Sequence, residues 1–140
     1  MNREAIFSTL FAMIAPMPAL VTTSRRLKHW TDIPSSEMPA MILAQGRQIV
    51  EAPAARGLPT KWQIEAMIYL YVHTIDQAPG TVINPILDTI TSILDPDPAG
   101  HPQTLNGLVE YARIEGAIET SEGALGDIEV AIIPVRMLAF

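Results

Sequence analysis

The side chains best suited to chemistry in this sequence are six carboxylates of its last third: Glu110, Glu115, Glu119, Glu122, Asp127 and Glu129. Two carboxyl groups about 5–9 Å apart can flank a glycosidic bond, one as acid and one as base or nucleophile. That chemistry needs a cleft that drives the two pKa values apart. Here most of the carboxylates alternate with apolar residues through "RIEGAIETSEGALGDIEVAIIPV", residues 113–135. Alternation of this kind makes a β-hairpin with one wet face. A solvated acidic strand face is the simpler reading of these groups.

No other constellation points to catalysis. His29, His73 and His101 fall in three separate elements, without the spaced pair of a zinc hydrolase. Ser8, Ser24, Ser35, Ser36, Ser92 and Ser121 lack a nucleophile-elbow context. The glycines stand singly or in turns, so no phosphate-cradling loop opens a helix. Zero cysteines exclude thiolate chemistry and disulfides. The expectation is a protein without catalytic residues, metal or cofactor.

Charge separates the remaining possibilities. The chain carries a net −6, which opposes tight binding of nucleic acid through a general basic surface. Its cations nevertheless cluster at Arg25, Arg26 and Lys28, beside His29 and Trp30, in "TSRRLKHW". Such a patch could touch phosphates and stack a base, or it could dock on an acidic protein surface. Charged residues make up only 17% of the chain, against about 25% in ordinary soluble domains. A chain this apolar is expected to hide part of its surface against other subunits.

The elements that would hold these groups follow from periodicity. Residues 2–15 place Ile6, Leu10, Met13 and Ile14 at helical spacing, widened by Phe7 and Phe11, with Asn2 as cap and Pro16 and Pro18 as stop. The short β-branched "ALVTTSRRLKHW" reads as a first strand, "TDIPSSEMP" as a loop, and "AMILAQGRQIVE" (40–51) as a second strand with a bulge or bend at Gly46. Residues 62–72 alternate most cleanly. Trp62, Ile64, Ala66, Ile68, Leu70 and Val72 face the core, and Met67, Tyr69, Tyr71 and His73 share the other side. "TVINPILDTITSIL" reads as a second helix, with Pro85 at its first position and a stripe of Ile86, Leu87, Ile90, Ile93 and Leu94. The hairpin completes the order α-β-β-β-α-β-β. One α+β domain over residues 1–140 is implied: a mostly antiparallel sheet packed against two helices. No apolar run reaches the roughly 20 residues of a membrane span. "MNRE" ahead of "AIFSTLFAMIA" does not make a secretion signal, since Glu4 offsets Arg3 and no small-residue cleavage site follows before the prolines.

Four blocks together, "LKHWTDIP", "GLPTKWQIEAMIYLYVH", "INPILDTI" and above all "GLVEYARIEGAIETSEGALGDIEVAIIPV", resemble the tail terminators of long-tailed, siphovirus-like or Mu-like bacteriophages, the lambda-type minor tail proteins. The resemblance runs from about residue 2 to 138 in the same order. It implies a structural virion protein, assembled in the host cytoplasm, that forms a ring, usually of six copies, on the end of the tail tube. The ring ends tube polymerisation and offers a docking surface to the head connector. The implied partners are a second copy, the tube protein and the connector, with DNA passing through the channel unbound. The resemblance transfers no functional residue. From the residues themselves, Met67, Tyr69, Tyr71 and His73 are the candidate subunit interface, buried by a neighbouring chain or a covering segment. Arg25, Arg26 and Lys28 are the candidate docking patch, and Glu115, Glu119 and Glu122 the candidate channel lining. The alternatives are another ring-forming tail or connector protein, or a small α+β domain with a ligand-binding or catalytic pocket between sheet and helices.

Overall fold

Two long alternating segments pair along almost their whole length and frame the molecule. A computed structural model describes residues 1–95, 100–122 and 125–140; in it these segments are β3 (Lys61–His73) and β6 (Ile128–Ala139). Ile64, Ala66, Ile68 and Leu70 lie opposite Met137, Val135, Ile133 and Ala131, and all eight are buried. On the other flank β2 (Ala40–Glu51) runs antiparallel to β3, with its register broken between Gln45 and Gln48. The break is the bulge expected at Gly46. A Cβ there would sit 3.0 Å from Cβ of Glu65, closer than side chains approach.

α1 (Arg3–Ile14) and α2 (Gly80–Leu94) cover one face of this sheet. The Asn2 side chain caps α1 by accepting from the Ala5 amide at 3.0 Å. Ile6, Phe7, Leu10 and Ile14 of α1 and Ile83, Ile86, Ile90 and Leu94 of α2 meet the inward residues of the strands. Each such side chain contributes roughly 1.5–3 kcal/mol by leaving water. The fold is α+β, in the expected order.

Four local expectations are corrected. The first strand shrinks to β1 (Thr22–Ser24), which pairs parallel with Ala40–Ile42 of β2. From Arg25 the chain leaves the sheet edge as a strap over the face opposite the helices, making single turns at Trp30–Asp32 and Ser35–Glu37. Second, α2 begins at Gly80, so Pro85 is its sixth residue instead of its first. The helix forfeits one hydrogen bond there, but the earlier start brings Ile83 into the buried stripe. Third, Trp62 is only half-buried at the end of the sheet, where the Arg3 guanidinium lies 4.7 Å from its ring centre.

The fourth correction concerns the hairpin, whose first arm is broken. β4 (Tyr111–Ile114) and β5 (Glu119–Thr120) both pair with β6, but residues 115–118 leave it. The cause is Pro134. Its carbonyl accepts from the Glu115 amide at 3.2 Å, so its nitrogen points the same way and has no hydrogen to give the arm. Gly116 makes the detour with φ +113, a conformation other residues rarely adopt.

Candidate assembly surface

The face without helices carries most of the residues the sequence singles out. Odd-numbered β3 residues point to it, beside Ile42 and Ala44 of β2 and Val130, Ile132 and Pro134 of β6. One end lies under the strap. Ile33 and Met38 are buried against Ala40, Ile42 and Tyr71, with Trp30 packed alongside. The Tyr71 hydroxyl donates to the Lys28 carbonyl at 2.7 Å, and the residue is only 3% exposed. Burial, and then the neighbouring Tyr69, raise its pKa. Tyr71 is thus covered by a segment of its own chain, the second of the two options open to it.

Beside the strap lies a groove of about 660 Å³. His29 and Trp30 form one wall, Tyr69, Tyr71, Val130 and Ile132 line the sheet side, and Glu119–Ser121 with Leu125 close the other side. Tyr69 and Tyr71 stand 6.5 Å apart between ring centres, and His29 and Trp30 5.2 Å. The His29 Nδ1 accepts from the Thr31 amide, which fixes that turn. Ser121 is occupied too: its hydroxyl donates to the Val130 carbonyl and accepts from the Val130 amide.

Past the groove the face becomes a ladder of alternating charge. Arg47 donates to both carboxylate oxygens of Glu65 at 3.1 and 3.2 Å, and Arg136 donates to one of them at 2.9 Å. Glu115 in turn lies 3.1 Å from Arg113 and 3.5 Å from Arg136. The Arg47 hydrogen bonds hold the Glu65 carboxyl below the usual carboxylate range, helped by Arg136 and opposed by partial burial.

The three expected residue groups fare differently. Met67 and Tyr69 are half-buried in the middle of this face, and His73 is half-buried at the end of β3. Arg25 pairs with Glu4 of α1; Arg26 and Lys28 are exposed on the strap. The acidic residues do not form one lining. Glu115 is neutralised by arginines and Glu119 rims the groove. Glu122 lies by the start of α2, where a Cβ on Gly80 would be 3.2 Å from its carboxylate. The break at Pro134 separates them, since the strand alternation does not run through it. Among the described residues, no three His, Asp or Glu side chains gather to hold a metal.

One buried carboxylate carries no assigned role. Glu129 is 1% exposed, and its Oε2 has no hydrogen-bond partner among the described residues. Burial, and then the charge of Glu122, push its pKa up. The solvated face expected for Glu129 is thus corrected, and the signal was present: Ala131, Ile133 and Val135 face the core, so the same alternation puts Glu129 inside. Comparison with known proteins adds nothing to this picture. No family model matches the chain, and no curated protein matches it. Sequence reasoning also missed Ile132, Pro134 and the Arg136–Glu65 pair, because it followed the polar side of β3 without knowing which strands lay beside it.

Proposed function

We propose that this chain is a ring-forming structural protein of the tail-terminator kind, capping the end of a phage tail tube and presenting a surface to the head connector. The observation that carries the reading is the helix-free face, where Met67, Tyr69, Ile132 and Pro134 stand half-buried in a contiguous apolar strip. A strip of this kind on a sheet otherwise packed by its own helices suits contact with other chains. The net charge of −6 suits a channel through which DNA slides without being held.

A ligand-binding domain was expected to hold its pocket between sheet and helices. That space is filled, with Ile64, Ile68, Leu70 and Ile90 fully buried. The groove lies on the opposite face and is open, which favours a protein partner over a small molecule. The test is electron microscopy of purified tails labelled with an antibody against this chain. Label at one end of each tail supports the reading; label along the tube, or none on intact tails, rejects it.

A further inference from the structure

The loop joining β2 to β3 is as distinctive as the groove, and the two lie at opposite ends of the sheet. Residues 51–59 are all exposed, with Leu58 at 53% near exposed Phe140. Residues 52–61 hold two cations, Arg56 and Lys61, and no carboxylate, so the remainder of the chain carries −8 against a total of −6. Of these cations Arg56 stands at the turn itself, within "APAARGLP".

The groove has the complementary character. Among the described residues lining it, the charged carboxylate is Glu119, which stands with the rings of Trp30 and Tyr69. An alkyl chain ending in a guanidinium is stabilised by aromatic faces and by a carboxylate at its tip.

We infer that the β2–β3 loop of one copy seats in the groove of a second copy, with Arg56 directed to Glu119 and Leu58 to the apolar floor. A chain cannot fill its own groove. Lys61 and Tyr71 are ten residues apart along one strand, about 33 Å at roughly 3.3 Å per residue. The contact is therefore head-to-tail, the kind that generates rings or open chains. This rests on the ring-forming reading and names the surfaces it would use.

The absence of cysteine makes the test clean. Leu58→Cys and Thr120→Cys proteins, each shown folded by circular dichroism, are oxidised singly and mixed at about 1 mM chain, enough to populate a contact as weak as about 1 mM. The inference expects a disulfide-linked dimer from the mixture and little from either alone. Adding Arg56→Glu to the Leu58→Cys protein should cut the yield several-fold, because it removes an attraction to Glu119 and adds a repulsion, and Glu119→Lys in the partner should restore it. A mixture that links no better than its components, or a yield indifferent to Arg56→Glu, overturns the inference. Cross-linking with no label at tail ends would reject the tail role and keep the contact. Tail-end label without cross-linking would do the reverse.

Discussion

Removing only the Tyr71 hydroxyl asks whether the strap or a neighbouring copy owns that residue. In Tyr71→Phe the ring stays between Ile42, Met38 and Ile33, and the single bond to the Lys28 carbonyl is lost. A typical intramolecular hydrogen bond contributes about 0.5–1.5 kcal/mol net. The bond is part-buried and lies at an exposed residue of the strap, so its loss is counted as that of one ordinary hydrogen bond. The expected loss is therefore about 1 kcal/mol. With an unfolding entropy of about 2.1 cal/mol/K per residue over 140 residues, this lowers the melting temperature by about 3 °C. Tyr71→Ala removes the ring as well and should cost about 3–5 kcal/mol. Urea unfolding is the assay, run in a Trp62→Phe background so that Trp30, the other of two tryptophans, reports on the strap itself. If Tyr71→Phe keeps full stability and strap fluorescence while self-association weakens, the hydroxyl serves a second chain and the assignment to the strap is wrong.

Three further outcomes follow from the same structure. Ile68→Ala, at a fully buried site facing Leu43 and Ile133 across the sheet, should cost about 2–5 kcal/mol in denaturant melts; a loss under about 0.5 kcal/mol would mean the strand faces are reversed. Glu129→Gln should raise the melting temperature at pH 8 and change it little at pH 4. The folded carboxyl has a raised pKa, so the wild type loses stability as pH climbs from the ordinary glutamate range to the folded value. Equal effects at both pH values would count against a charge penalty. Glu65→Gln should act in the opposite sense, costing about 1–3 kcal/mol at pH 7 because two arginines lose their charged acceptor. Its folded pKa is depressed, so the wild-type advantage is present above the usual carboxylate range and fades as pH falls through the folded value; a deficit undiminished at pH 3 would show that the pair is not its source.

What the sequence reveals here depends on whether a signal is local. Ile64, Ile68 and Leu70 declare their face by strict alternation, and Ile86, Ile90 and Leu94 by helical spacing, so the core was legible. Gly46 could be placed as a bulge because glycine inside a strand pattern has few other uses. Arg25 could not be placed, since its partner Glu4 is 21 residues away on a helix that crosses the sheet. Nor could the broken hairpin arm be seen. Its alternation looks intact across Glu115–Ile118, and the interruption comes from Pro134 on the facing strand. The strap was lost for a related reason: three β-branched or apolar residues begin a strand at Val21–Thr23, and only the packing of Ile33 and Met38 on Tyr71 shows why it stops.

The energies of the inferred contact indicate how a ring of this chain would assemble. Among the described residues, four of the nine cations, Arg25, Arg47, Arg113 and Arg136, are paired within the chain. Apart from Arg3 on α1, the remaining exposed cations sit on the strap and between β2 and the start of β3, at the two ends of the sheet. Exposed ion pairs contribute only about 0–1 kcal/mol each, and one leucine brought fully out of water about 1.5–3 kcal/mol. Fixing two chains together costs about 4–15 kcal/mol in lost freedom. A single loop in a single groove therefore cannot hold a lasting dimer, least of all between two chains of the same net charge. Closing a ring shifts the balance by one contact, because six copies then make six contacts for five losses of freedom. A tube end that already holds the copies side by side lowers that loss further by raising their effective concentration. Weak pairing in solution and firmer closure on a template would then both follow from the one proposed contact.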